Sequence, residues 1–127
     1  MNITKSSTHM KSNASTSSYL ETECLFGETI EILDEKLDWV FCKLITDNYY
    51  GWVKKTDLGR LEEATHRVIV VRTFIFKETQ VKSKILLYLP MGSRLAIEKI
   101  KKGWAKICFF MGSEKKSGYV PSNHIVQ

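Results

Sequence analysis

The sequence lacks the features that would place it in a membrane or mark it for secretion. Its 127 residues contain no run of 18 apolar residues, so no membrane-spanning helix is predicted. The first 20 residues contain no apolar run, so they do not form a secretory signal. The chain is therefore expected either to stay in the cytoplasm or to follow a leader outside this sequence, and cytoplasm and cell envelope both stay open.

Residues for metal, redox and nucleotide chemistry are also scarce. The chain has three cysteines and three histidines, with no C-x-x-C and no pair at zinc-ligand spacing. An odd number of cysteines indicates reduced thiols rather than a disulfide framework. No glycine-rich phosphate-binding motif is present. We therefore predict no metal site, no cofactor and no catalytic residue.

An internal repeat is the most informative feature of the sequence. Gly27 precedes Trp39 by 12 residues, and Gly92 precedes Trp104 by the same distance. Gly51-Trp52-Val53 follows the first tryptophan by 12 residues, and Gly118-Tyr119-Val120 follows the second by 14. Repeated landmarks in the same order indicate two copies of one small unit. We assign residues 1–60 to the first unit, 61–65 to a linker and 66–127 to the second unit.

Both units are predicted to consist of short antiparallel strands. Alternation in Glu28–Leu33 indicates a half-buried strand, and the segments 38–45 and 49–53 complete a three-stranded pattern. The second unit repeats this order, with a longer loop at Gly112–Ser117. Leu61–Ala64 is the best helical candidate, and it is short. The predicted fold class is all-β, with two small SH3-like antiparallel barrels in tandem.

The repeated residues resemble those of a known family. The glycine, tryptophan and Gly-aromatic-Val landmarks resemble those of bacterial SH3-like domains. The tandem order, and the segments Leu25–Glu28, Asp38–Val40 and Asp47–Val53, are similar to the amino-terminal targeting region of NlpC/P60 cell-wall peptidases. In that family such repeats usually precede a papain-like domain that cuts peptidoglycan stem peptides. The resemblance implies a bacterial, non-catalytic targeting unit whose partners are peptidoglycan and a papain-like catalytic domain of the parent chain.

Aromatic residues are the candidate ligand-binding groups, because rings beside a groove bind sugars and peptides by stacking. Three of them cluster beside the turn at Asp47-Asn48. The full candidate set comprises Trp39, Tyr49, Tyr50, Trp52, Trp104 and Tyr119. Each of the three tryptophans could instead be a core or repeat-interface residue.

Charge divides unequally between the two halves. Residues 1–63 contain 7 basic and 11 acidic residues, whereas residues 64–127 contain 12 basic and 3 acidic residues. The net charges are therefore −4 and +9, and they suggest that the halves face different surroundings. The basic half could meet an anionic polymer or attract the acidic half. Two alternatives to peptidoglycan binding stay open: a protein-interaction unit without a cell-wall role and, ranked below it, a nucleic-acid-binding barrel.

Overall fold

The computed structural model describes all residues, 1–127, and contains β-strands together with two short 3₁₀ helices. The prediction of an all-β fold is confirmed. None of its helices has the length or apolar character needed to cross a membrane. Strands dominate because the apolar residues recur with a period of two, which matches a sheet with one buried face.

The first half of the chain contains seven strands and one 3₁₀ helix. In chain order these are β1 (Asn2–Ile3), β2 (Ser7–Lys11), β3 (Leu20–Leu25), β4 (Ile30–Lys36), β5 (Trp39–Leu44), β6 (Tyr49–Lys54), the 3₁₀ helix (Lys55–Asp57) and β7 (Leu58–Gly59). Five of them form an antiparallel sheet in the order β3-β2-β6-β5-β4, and β1 pairs with β7. The sheet covers a core of nine buried residues: Ile3, Met10, Cys24, Ile30, Val40, Cys42, Leu44, Val53 and Leu58.

The second half repeats this plan with eight strands. They are β8 (His66–Val68), β9 (Arg72–Phe76), β10 (Ile85–Pro90), β11 (Arg94–Leu95), β12 (Ile97–Lys101), β13 (Trp104–Met111), β14 (Glu114–Pro121) and, after a 3₁₀ helix (Ser122–His124), β15 (Ile125–Val126). The five-stranded sheet has the order β10-β9-β14-β13-β12, which is the order of the first sheet strand for strand. A smaller sheet, β11-β8-β15, completes the unit.

Both five-stranded sheets are open rather than closed by hydrogen bonds. No ladder joins β3 to β4 in the first sheet or β10 to β12 in the second. A register shift between Ile32 and Asp34 interrupts β4, and one between Ile97 and Lys99 interrupts β12 at the matching position. Such bulges increase the twist of the strand that carries them. The units are therefore SH3-like in strand order, with curled sheets in place of a continuous barrel.

Two local predictions were wrong. Gly112–Ser117 is not a long loop, because the β13–β14 ladder continues to the pair Met111 and Glu114. Gly112 has a φ of 63°, which lets the chain reverse within two residues. The two additional residues of the second repeat therefore lengthen the hairpin. The segment Leu61–Ala64 forms no helix, and Leu61 instead packs against the core of the second unit.

Sequence reasoning missed the β2–β3 hairpin, which supplies one edge strand of the first sheet and the strand next to it. Its strands contain mostly polar residues, so apolar alternation is weak there. Thr8 nevertheless lies buried, and Met10 is completely inaccessible. The hairpin belongs to the sheet because Lys11 pairs with Trp52 of β6.

The two units are in direct contact. Phe26 precedes β4 in the first unit, yet its side chain belongs to the core of the second, where its ring centroid lies 5.1 Å from that of Phe109 in an edge-to-face arrangement. Arg60 and Phe110 exchange two backbone hydrogen bonds of 2.8 and 2.7 Å. The unit boundaries assigned around residues 61–65 remain a prediction.

Candidate ligand-binding site

The first candidate site lies on the outer face of the first sheet, where β5 alternates between core and surface. Every second residue of the strand is buried in the core: Val40, Cys42 and Leu44. The intervening residues are half-buried and lie on the other face: Trp39, Phe41 and Lys43. The alternation follows from the two-residue period of a strand. It leaves two aromatic rings and one ammonium group on the outer surface.

Strand β6 adds further rings to the same surface. Phe41 pairs with Trp52, and their ring centroids are 5.4 Å apart. Tyr50 also stacks on Phe41, with ring centroids 6.4 Å apart, and the Nζ of Lys43 lies 5.8 Å from the Tyr50 ring centroid. We call Trp39, Phe41, Tyr50 and Trp52 the first aromatic face. The contacts of Phe41 with Tyr50 and Trp52 restrict these three rings before any ligand arrives, which lowers the entropic cost of binding.

The structure brings together three of the predicted site residues and separates the others. Trp39, Tyr50 and Trp52 lie on the first aromatic face. Tyr49 lies on the opposite face of β6, because it shares its strand parity with the buried Gly51. Tyr49 and Tyr50 are about equally exposed, at 45% and 49%.

Phe41 was absent from the predicted set although it lies at the centre of the face. The signal for it was present in the sequence. Phe41 follows Trp39 by two residues on a strand, so both residues must share a face.

A groove continues from the Trp39 end of the aromatic face. It lies beside the β2–β3 turn. One section of the groove, with a volume of about 290 Å³, is lined by eight residues: Ser7, Thr8, His9, Lys11, Thr16, Trp39, Lys54 and Asp57. A neighbouring depression shares Thr16, Trp39 and Lys54 and adds Asp38. We call this continuous surface the Trp39 groove.

The Trp39 groove presents charges of both signs around one aromatic ring. The Nζ of Lys54 lies 5.9 Å from the Trp39 ring centroid, within the range of a cation–π interaction. Asp57 accepts a hydrogen bond from the Thr8 hydroxyl, which orients the carboxylate at the groove wall. Two positive side chains and two carboxylates make the groove suitable for a ligand that carries both ammonium and carboxylate groups.

The remaining predicted residues, Trp104 and Tyr119, form a separate site on the second sheet. A cavity of about 400 Å³ is lined by these two rings, by Thr79 and by four lysines: Lys99, Lys101, Lys102 and Lys106. We call it the lysine pocket. The Trp104 ring is held edge-to-face by Phe76, with the centroids 5.7 Å apart. None of the lining residues is acidic.

The cysteines have properties that argue against nucleophilic catalysis. Burial raises the pKa of the Cys24 thiol to about 12 and that of Cys42 to about 11. Cys108 is half-exposed, and partial burial, together with the neighbouring Glu98 carboxylate, raises its pKa as well. A raised pKa keeps a thiol protonated at neutral pH, whereas a cysteine nucleophile reacts as the thiolate. No cluster of three metal-ligating side chains is present.

Comparison with known proteins agrees with this architecture. Residues 12–58 match the family model described as the SH3 domain of bacterial dipeptidyl-peptidase. The fold of the chain is SH3-like. The chain also shares its fold with the crystal structure of an NlpC/P60 family protein from Bacillus cereus, with a TM-score of 0.77 at 14% sequence identity. No curated protein sequence matches the chain.

The structural match covers 98% of this SH3-like chain and 55% of the Bacillus cereus protein. The chain therefore spans about half the length of that relative. Both comparisons confirm the resemblance predicted from the repeated glycine, tryptophan and Gly-aromatic-Val landmarks.

Proposed function

We propose that this SH3-like chain is a non-catalytic targeting unit of a bacterial NlpC/P60-type cell-wall peptidase and that it binds peptidoglycan through the stem peptide or the glycan. In the parent protein its partner would be a papain-like catalytic domain, and the unit would help to shape substrate specificity. The match to about half of an NlpC/P60 family protein supports this placement.

The observation that carries the proposal is the continuity of the first aromatic face with the Trp39 groove. Rings supply a stacking surface for sugars and for the apolar parts of a peptide. Lys54 and Asp57 at the groove can pair with the carboxylate and ammonium groups of a stem peptide. A ligand with both kinds of group would therefore be held by stacking at one end and by charge at the other.

The proposal can be tested with insoluble sacculi from which phosphate-containing polymers have been removed. Truncating an aromatic anchor at a binding surface costs about 2 kcal/mol or more, so Trp39→Ala should weaken sacculus binding by about thirtyfold. Trp104→Ala is the matched control, because it removes the equivalent ring of the second unit. Thermal melting of both variants identifies losses that come from unfolding.

The result distinguishes the proposed functions. Sacculus binding that persists at high salt and depends on Trp39 supports the peptidoglycan proposal. Equal binding by the parent chain and a folded Trp39→Ala variant would overturn it. Absence of sacculus binding by the parent chain would instead favour the protein-interaction alternative.

A further inference from the structure

We propose that the lysine pocket of the second unit is a separate binding site for phosphodiester polymers whose repeating units are sugars or polyols. It differs in location and chemistry from the proposed peptidoglycan site, and neither proposal depends on the other. The relevant surface comprises Lys99, Lys101, Lys102 and Lys106 around Trp104 and Tyr119.

The first support comes from comparing matched positions of the two repeats. In the first sheet Asp34 pairs with Phe41, whereas at the equivalent rung of the second sheet Lys99 pairs with Lys106. Both pairs directly follow the bulge of their strand. One repeat therefore has a carboxylate and a ring where the other has two ammonium groups, on the same outer face of the same fold.

The second support is that this arrangement of lysines destabilises the unliganded protein. Like charges directly opposite each other in a sheet are destabilising. Glu98 provides partial compensation, with its carboxylate 3.8 Å from the Nζ of Lys106, and both side chains are substantially exposed. Lys101 lies opposite Trp104, and Lys102 follows in the turn, where its φ is 51°. An anion between these groups would relieve the repulsion.

The nature of the cations favours phosphate. Lysine ammonium groups act as point charges that can surround a tetrahedral phosphate without requiring one fixed binding plane. The pocket contains four lysines and no arginine. The net charge of +9 on residues 64–127 extends the attraction beyond the pocket itself.

The aromatic groups favour a sugar or polyol chain over nucleic acid. Single-stranded nucleic acid is held by rows of rings on which successive bases stack. Here the Trp104 ring is fixed by Phe76, and lysines flank it on neighbouring positions of β12 and β13. The pocket therefore offers a local stacking surface surrounded by charge rather than a continuous row of rings.

The test uses poly(glycerol phosphate) as the probe, with titrations at several salt concentrations. K99Q/K101Q removes two charges of the pocket. K115Q/K116Q is the matched control, because it removes two charges from the same unit at residues that do not line the pocket. We expect the pocket variant to lose at least about tenfold in affinity and the control to lose less than about threefold. K99R/K101R should retain binding if both variants remain folded.

Three outcomes would overturn the proposal. The first is no binding of the probe at low salt, and the second is an equal loss of affinity in both glutamine variants. The third is tighter binding of an oligothymidylate with the same number of phosphates, lost in K99Q/K101Q, which would assign the pocket to nucleic acid. None of these results bears on sacculus binding by the first aromatic face.

Discussion

Gly27 of the first unit lies against the main chain of Arg94 in the second. A Cβ atom on Gly27 would stand 1.9 Å from the Arg94 carbonyl oxygen, a distance that no side chain can occupy. The Arg94 amide donates a 2.8 Å hydrogen bond to the carbonyl of Phe26, the residue before Gly27. The landmark glycine of the first repeat therefore lies at the contact between the units.

Gly27→Ala should destabilise the chain strongly. The residue has a φ of 84°, which strains any L side chain, and the new methyl group would also force the Arg94 backbone away. Gly103 provides the control, since it has the same φ of 84° and open space around the position of a Cβ. We expect Gly103→Ala to cost about 1 kcal/mol in free energy of unfolding and Gly27→Ala to cost several times more. Chemical denaturation measures both values, and equal losses would show that the contact does not constrain the fold.

The repeat pattern predicted the central hairpins because their determinants are local. Trp39 opens β5, and Gly51 lies inside β6 where a Cβ would meet Met10 at 2.4 Å. The β2–β3 hairpin could not be recognised in this way, because its place in the sheet depends on pairing with β6, more than 40 residues away. The buried Thr8 of β2, and the buried Ser6 just before it, have no apolar signature.

The candidate sites, too, could be predicted from the sequence only where local strand alternation determines them. Strand parity could have added Phe41 to Trp39 in the first site. The juxtaposition of Lys99 with Lys106 could not be read from alternation, because the bulge after Ile97 shifts the register between the strands. The predicted set contained both Tyr49 and Tyr50, although strand alternation already places these two neighbours on opposite faces of the sheet.

Glu28→Gln should stabilise the chain at neutral pH. Glu28 is buried, and one of its carboxylate oxygens has no hydrogen-bond partner. Burial and the charge of Asp47 raise the pKa of Glu28, against a smaller opposing effect of Arg94. The unfolded state therefore loses this proton first, so the contribution of Glu28 to stability is greatest below pH 4.5 and falls as pH rises towards its folded-state pKa. Unfolding free energies from pH 4 to 7 should show this decline in the parent and a weaker one in the variant. An identical slope in both proteins would contradict the assignment.

The buried thiols should make the fold sensitive to alkaline pH. In the unfolded chain the pKa of the cysteines is near 9.0. In the folded chain the pKa of Cys24 is raised to about 12 and that of Cys42 to about 11. Their contribution to stability is therefore complete below pH 9 and decreases as pH rises above it. The measurement compares the pH dependence of the unfolding free energy in the parent with that in the Cys24→Ala/Cys42→Ala double variant. The difference separates the contribution of the two thiols from that of lysine and tyrosine titration. The double variant should lose less stability between pH 9 and 11, and an unchanged slope would count against this interpretation.

Alkylation of the native protein should modify the three cysteines in a fixed order. Cys108 is half-exposed, whereas Cys24 and Cys42 are buried with no accessible surface. Iodoacetamide at pH 8 should therefore label Cys108 first, and the other two should react only as the chain unfolds. Mass spectrometry of peptides along a time course measures the order. Early labelling of Cys24 or Cys42 would show that the first core opens readily.

Tyr50→Ala and Tyr49→Ala form the sharpest test of the first aromatic face. The two tyrosines are neighbours with nearly equal exposure, but only Tyr50 stacks on Phe41 and lies beside Lys43. If peptidoglycan binds to this face, Tyr50→Ala should weaken sacculus binding by about 5- to 150-fold, corresponding to a loss of about 1–3 kcal/mol. Tyr49→Ala should leave binding within about twofold of the parent, because an exposed residue outside the contact contributes little. Both rings are about half exposed, so neither variant should have a melting temperature far below that of the parent. Equal effects of the two substitutions on binding would place the ligand elsewhere.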